Sequence, residues 1–284
     1  MKFCRFQPLE FAVDAVGAPA HPEPLFGLLE GNSVRELLGD PLTEWRRGER
    51  AWPLDRVSLL APIMPSKIVG VGRNYAEHAA EMSNPLPKEP IIFLKPPSSI
   101  IGPEEPIVLT PFSQNVHHEA EIAVVIGKTC SQLPDGESAL PYVLGFTCVN
   151  DVTARDLQRS DGQWTRAKGF DTFCPMGPVI ETEVDLAKST VAGFVNGERR
   201  QFAPVTDLLF SVDFLIHWIS RMMTLLPGDV ISTGTPSGVG PLRAGDVVEV
   251  VVDGVGTLRN PVVAPANVSP LEASRHLSET AKGH

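Results

Sequence analysis

The run His117-His118-Glu119-Ala120-Glu121-Ile122-Ala123-Val124-Val125-Ile126-Gly127 constrains this chain more than any other stretch. From Ala120 to Ile126 every residue except Glu121 is apolar, several are β-branched, and the pattern predicts a strand. Residues two apart on a strand share a face, so Glu119 and Glu121 stand side by side where an otherwise apolar strand begins. Carboxylates that close repel each other, and burying them is costly unless a partner compensates. A hard divalent cation with oxygen ligands is one such partner. The plain alternative is a strand end in water, where charged residues mostly lie, and a Glu-x-Glu pair by itself favours that alternative.

A third carboxylate shifts the balance. Tyr142 to Val149 reads as a second strand running into Asn150-Asp151-Val152-Thr153-Ala154-Arg155-Asp156-Leu157-Gln158. Asp151 falls where that strand gives way to a turn or helix, a common place for functional side chains. Glu119, Glu121 and Asp151 together would make an all-oxygen site with positions left for water or substrate. Such a site suits Mg²⁺ or Mn²⁺, with Ca²⁺ as a further option, better than zinc, which prefers nitrogen and sulfur.

Six blocks then follow one another in order: Gly70-Val71-Gly72-Arg73-Asn74-Tyr75-Ala76-Glu77-His78, Phe93-Leu94-Lys95-Pro96-Pro97-Ser98-Ser99, His118-Glu119-Ala120-Glu121, the Asn150 to Gln158 segment, Lys168-Gly169-Phe170-Asp171-Thr172-Phe173 and Gly234-Thr235-Pro236-Ser237-Gly238-Val239-Gly240. Over roughly 65 to 261 the chain thereby resembles the fumarylacetoacetate hydrolase family, and within it the acylpyruvate hydrolase and oxaloacetate decarboxylase branch. The resemblance implies a mixed β-strand roll of the fumarylacetoacetase C-terminal type, a homodimer, and a divalent metal on Glu119, Glu121 and Asp151.

It also implies roles for further residues. His78 and Glu81 are three apart in a short predicted helix, Tyr75 to Met82, and share a face. Alone they read as an exposed helix pair. The resemblance makes them a lid-borne dyad that activates water, with the ordered lid expelling solvent. Lys168, alone a solvated charge, matches the family lysine that binds the substrate carboxylate or stabilises an enolate. Arg73, Arg155 and Gln158 match substrate-side or site-ordering positions, Gln158 as a holder of the water. For Arg155 an ion pair with Asp156 or with a metal ligand is the other option. Thr235 is expected to hydrogen-bond substrate through its hydroxyl or amide. His117 and His118 flank the ligand strand and read mainly as packing, His217 as a residue of the long helix, and Trp164 as a pocket wall without a role. Fumarylacetoacetase itself takes a further ligand aspartate from the segment before its histidine. Residues 67 to 75 contain no carboxylate here, so three protein ligands and a different substrate are expected.

Composition sets the outer limits. At 284 residues the chain is long enough for one large domain or one plus a small one. Asp plus Glu number 34 against 24 Lys plus Arg, a net charge of −10, and no basic stretch stands out, which argues against nucleic acid. No run approaches the length of a membrane helix, and the first residues carry no apolar core of a secretory signal. Four scattered cysteines without a CxxC pair fit free thiols in a cytoplasm.

Residues 1–62 read as a small N-terminal domain, 63–262 as the catalytic domain, and 263–284 as a polar tail, either a short helix or disordered. Strand candidates in the first part are Phe3–Phe6, Leu25–Leu29 and Ser58–Leu60, with a short helix at Val34–Leu38. Later strands are Ile68–Gly72, Ile91–Leu94, Val230–Ser232 and Val247–Val252, the last returning through an Asp253-Gly254 hairpin. Ser211–Thr224 is the best helix. Strands outnumber helices without alternating with them, which points to a predominantly β, α+β fold. The two glycine-rich blocks lack the third glycine of a dinucleotide fingerprint and the Lys-Ser/Thr of a P-loop, and read as places of close backbone approach to a small ligand or as tight turns.

The expected activity is hydrolysis of a C–C bond in acylpyruvate-type β-diketo acids. The alternatives on the same site are oxaloacetate decarboxylation or tautomerisation and a 2-hydroxyhepta-2,4-diene-1,7-dioate isomerase-type reaction of aromatic catabolism. Each takes a small anionic 2-oxo acid through an enolate. A non-catalytic metal protein ranks last, because dyad and lysine are both present.

Overall fold

The computed structural model describes residues 1–9, 12–13, 19–20, 23–82, 85–134 and 136–265. From residue 266 on, the expected tail lies outside them.

The strand expected from the Glu-x-Glu run spans Ala120–Ile126, and all seven residues are buried. It lies inside a sheet, antiparallel to Val143–Asn150 on one side and to Val230–Ser232 on the other. Its two faces meet different cores. Ala120, Ile122, Val124 and Ile126 belong with Leu215, Ile216 and Ile219 of the helix Val212–Ser220 and with Val191, Val250 and Leu258. Ala123 and Val125 belong with Ile68, Val149, Met176 and Val230. A strand covered on both sides reads as a near-continuous apolar run, which explains why only Glu121 breaks the pattern.

The large sheet has twelve strands. Ten run side by side in the order Trp45–Pro53, Ser33–Gly39, Leu25–Glu30, Lys2–Pro8, Cys174–Glu181, Val143–Asn150, Ala120–Ile126, Val230–Ser232, Ile68–Gly72 and Ile91–Lys95. Lys2–Pro8, Leu25–Glu30, Ser33–Gly39 and Trp45–Pro53 extend this sheet through the pairs Lys2 with Glu181 and Phe3 with Ile180. Val230–Ser232 and Ile68–Gly72 are parallel while their other neighbours are antiparallel, so the sheet is mixed. A second sheet orders Ile107–Val108, Gly256–Val263, Val247–Val252, Thr190–Val195 and Glu198–Pro204. Asp253 and Gly254 turn its central hairpin, as expected. The architecture is predominantly β, with short helices at Ala76–Glu81, Arg155–Asp161 and Thr165–Lys168 beside the longer Val212–Ser220.

Two expectations are corrected. Val34–Leu38 is not a helix but part of the strand Ser33–Gly39. Glu30 pairs with Ser33 across Gly31 and Asn32, and Gly31 takes the positive φ of 60° that a two-residue hairpin needs. Pairing with Leu25–Glu30 then outweighs the helical spacing. The long helix stops at Ser220, not Thr224. Leu225 exchanges backbone hydrogen bonds of 2.9 and 3.0 Å with Cys130, which pulls the chain straight before Pro227.

Ile122 has no exposed surface. Ile122→Ala is expected to lower unfolding free energy by about 2–5 kcal/mol in urea denaturation, while Val263→Ala at an exposed position changes it by less than about 0.5 kcal/mol.

Candidate active site

Strand register builds the site. Ala120 pairs with Asn150 and Glu121 with Val149. The Asp151 amide donates to the Glu119 carbonyl at 2.9 Å, which sets residue 151 opposite residue 119. Opposed residues of an antiparallel pair share a face. Glu119, Glu121 and Asp151 therefore converge, and one carboxylate oxygen from each lies within 4.8 Å of the others. All three are buried, so the strand end in water is excluded. Asn150 reinforces the register by accepting from the Glu119 amide at 2.9 Å.

Buried cations compensate two of the three carboxylates. Lys168 Nζ donates to Glu119 Oε2 at 2.7 Å and also bonds Asp151 Oδ2. Lys95 Nζ donates to Asp151 Oδ1 at 2.7 Å and to the Lys168 carbonyl at 2.6 Å. Arg155 bonds Glu119 Oε1 through one Nη, and its other Nη donates to Gln158 Oε1 at 2.9 Å. Burial raises the Glu119 pKa, but Arg155 and Lys168 outweigh it and hold the carboxyl well below the usual range. Burial likewise works against the Lys168 charge, yet Asp151 and Glu119 lift its pKa above that of ordinary lysine.

Glu121 is different. Its partners are the Ser232 hydroxyl and the Gly234 amide, the latter at 2.9 Å, and neither is charged. Burial, then repulsion from Asp151 and Glu119, pushes its pKa up to about 8. The cluster thus holds one more carboxylate than its cations satisfy comfortably. A buried all-oxygen triad with one carboxylate that no cationic side chain bonds fits a hard divalent cation, which would supply positive charge beside Glu121.

A cavity of about 360 Å³ opens onto this cluster, and His78, Glu81, Arg73, Arg155, Gln158, Lys168 and Thr235 all line it. The sequence-derived site residues are therefore brought together, with Asp151 directly behind. His78 Nδ1 lies 3.2 Å from Glu81 Oε2. The helix is not an exposed one at this point, for His78 is 6% exposed. Burial lowers its pKa, and Glu119 and Glu81 oppose that only in part, which favours the neutral imidazole. The helix is docked by the glycine-rich loop: the Gly238 amide donates to Glu81 Oε1 at 3.0 Å and the Ser237 hydroxyl to Glu77 at 3.1 Å.

Other residues resolve as follows. Arg155 pairs with a carboxylate of the triad and not with Asp156, which accepts instead from Ser113 and the Gln114 amide. Arg73 sits at φ 59°, a left-handed conformation that a side chain of this size rarely adopts outside a constrained site. Trp164 packs over Gly72: a Cβ there would fall 2.5 Å from the indole. Gly72 thus makes room for an aromatic wall, not for a ligand. The Thr235 hydroxyl donates to the Ala120 carbonyl at 2.9 Å. His118 Nδ1 meets Gln201 at 2.9 Å, His117 turns to Asn115, and His217 bonds the Glu137 carbonyl away from the cavity.

Three residues of the site escape sequence reasoning. Lys95 stands inside a matching block, at the end of an apolar strand. Arg159, one turn after Arg155, lines the cavity. Gln201 lies in the polar run Arg199-Arg200-Gln201, which carries no local signal.

Comparison with known proteins bears on this geometry. The fumarylacetoacetate hydrolase C-terminal family matches residues 67–263, and a Rv2993c-like N-terminal family matches 16–62. Protein Rv2993c of Mycobacterium tuberculosis is 50% identical over 81% of this chain and 88% of its own length. The mitochondrial oxaloacetate tautomerase of Xenopus laevis is 45% identical over 73% of this chain and 69% of its own. The crystal structure of 2-hydroxyhepta-2,4-diene-1,7-dioate isomerase from Mycobacterium marinum is 43% identical, covers 93% of this chain and 98% of its own, and superposes with a TM-score of 0.81. With the family match spanning most of the chain and relatives at 45–50% identity over more than two thirds of it, the chain belongs to the fumarylacetoacetate hydrolase family.

Proposed function

We propose that this protein is a divalent-cation-dependent enzyme that moves a proton on small 2-oxo dicarboxylic acids, as a tautomerase or isomerase. The observation that carries this is the uncompensated positive charge on the cavity wall. Arg155 and Lys168 face triad carboxylates, but Arg73 and Arg159 have no ion-pair partner among the described residues. A substrate with a second carboxylate would meet them; a monoanion would leave them unused. The relatives named for oxaloacetate and for a dioate support the same substrate class.

Glu119, Glu121 and Asp151 would hold the cation, which when bound supplies Lewis-acid polarisation of a 2-oxo group. Mg²⁺ is the expected ion, with Mn²⁺ and Ca²⁺ fitting the same donors. His78 does the proton work. Its Nδ1 faces Glu81, leaving Nε2 as the base. The substrate C3–H bond breaks, its electron pair forms the C2–C3 double bond, and the proton rests on Nε2. Glu81 stabilises that imidazolium. Return of the proton to the C2 oxygen gives the enol, and return to a different carbon of a conjugated dioate gives the isomer. Lys168 donates to the negative oxygen as it forms.

Hydrolysis of acylpyruvates is the second reading, favoured by the dyad, because a neutral imidazole beside a carboxylate suits water activation equally well. Oxaloacetate decarboxylation would need neither base. Four buried free thiols support a reducing, cytoplasmic setting, and the family resemblance supports a homodimer.

Product analysis by NMR separates these. Accelerated keto–enol exchange of oxaloacetate is expected, slowed by about 10²–10⁴-fold in His78→Asn. Acetate plus pyruvate from acetylpyruvate would instead establish the hydrolase. Because the His78 pKa is lowered, the neutral base persists below pH 6.5. The acid limb of the rate profile should therefore lie below 6.5 and vanish in His78→Asn.

The cation site has its own test by thermal unfolding. Wild-type protein at about a hundredfold excess of Mn²⁺ over Kd should gain about 2.7 kcal/mol. Glu121→Gln is expected to abolish that gain yet leave the cation-free protein as stable or more so, because it removes a buried repulsion. Glu119→Gln strands Arg155 and takes one of two carboxylate partners from Lys168, and should lower stability by about 3–5 kcal/mol. For the substrate class, Arg73→Ala and Arg159→Ala should each raise KM for oxaloacetate by about 10–100-fold and leave KM for acetylpyruvate unchanged.

A further inference from the structure

Behind the cavity, one side chain joins three parts of the site. Gln201, on the strand Glu198–Pro204, is 1% exposed. Its Oε1 accepts from the Ala120 amide at 2.9 Å, and its Nε2 donates to the Pro236 carbonyl at 2.7 Å. An amide N–H can only donate and a carbonyl can only accept, so these two partners fix which end of the Gln201 side chain is oxygen.

Two proton positions follow. His118 Nδ1 lies 2.9 Å from Oε1 and must carry its proton to bond there. The Thr235 hydroxyl lies 2.7 Å from Nε2 and must accept, so its own hydrogen goes to the Ala120 carbonyl. Ala120 sits between the two glutamates, and both of its backbone groups are thus tied to this network. From Pro236 the chain runs directly into Ser237 and Gly238, which hold Glu77 and Glu81 on the helix of His78. The loop is pressed onto the Gln201 strand: Gly238 has φ +96°, and a Cβ there would lie 1.9 Å from the Arg200 carbonyl oxygen.

We propose that Gln201 is a positioning residue: its amide ties the carboxylate strand to the loop that docks the His78–Glu81 helix, and so registers the proton-transfer group on the triad. This rests on the functional reading above for its kinetic consequence only. Every hydrogen-bonding position of the amide is used. Gln201→Met keeps the shape and removes all four bonds, whereas Gln201→Glu keeps an acceptor toward Ala120 and loses the donor toward the loop.

The first readout needs no substitution. Imidazole ¹⁵N NMR of the wild-type protein should show His118 protonated on Nδ1; protonation on Nε2 alone would overturn the assigned polarity. In Gln201→Met, amide hydrogen exchange at residues 76–82 and 234–240 should rise at least about tenfold while 122–126 stays protected. Misplacement of the dyad should lower kcat on oxaloacetate by about 10–100-fold, with KM and Mn²⁺ affinity within about threefold of wild type. Gln201→Glu should show the loop and helix exchange but less disturbance at His118. Uniformly faster exchange, or loss of Mn²⁺ affinity together with kcat, would reduce Gln201 to a stability residue and overturn the proposal; so would wild-type behaviour in every readout. If no oxo acid is turned over by the wild type, the functional reading fails, while the tautomer and exchange results still decide the network.

Discussion

Three carboxylates on one buried face are the constraint from which the rest of this structure follows. Bringing one carboxylate oxygen each of Glu119, Glu121 and Asp151 within 4.8 Å of the others in a buried site is unfavourable by itself. The fold supplies Lys168, Lys95 and Arg155 around two of them and only neutral donors around Glu121. That uneven compensation gives the cluster its chemistry. Arg155 and Lys168 favour the ionised form of Glu119, and Glu121, without a cationic partner, is pushed toward protonation. The proposed cation would bring positive charge and would compete with Lys168 for Glu119 and Asp151.

The sheet makes such a cluster tolerable by leaving it no freedom to spread. The strand Ala120–Ile126 has neighbours on both edges and core on both faces, so its register cannot slip without turning every side chain over. Asn150 pins the register next to Glu119, and Gln201 pins it next to Ala120. The helix that bears His78 and Glu81 is only six residues long and too short to stand alone in water. Its position comes from the loop that holds Glu77 and Glu81. The sheet fixes the loop, and the loop in turn fixes the helix that bears His78 and Glu81.

Much of this is legible in the sequence, and the reason is local. A strand announces itself by its apolar run, so two glutamates at period two fall on one face by spacing alone. Asp151 joins them because both strand ends are readable. The helical spacing at Val34–Leu38 misleads because a Gly31-Asn32 hairpin commits that segment to a partner strand, and partner choice overrides spacing. Arg155 shows the limit differently: sequence offers Asp156 next door, but the partner is Glu119, thirty-six residues away. Gln201 is invisible for the same reason. Its four partners lie at least thirty-four residues distant, and its own strand looks exposed. The family resemblance carries the roles of His78, Glu81 and Lys168, and without it spacing alone leaves a surface pair and a solvated lysine.

Whether the triad takes a cation in exchange for Lys168 decides the chemistry of the site. Anomalous diffraction from crystals soaked in Mn²⁺ tests that directly. A single peak among Glu119, Glu121 and Asp151, with the Lys168 ammonium drawn away from at least one of its two carboxylates, is the expected result. Lys168 still spanning Glu119 and Asp151, with no peak between the three carboxylates, would contradict it.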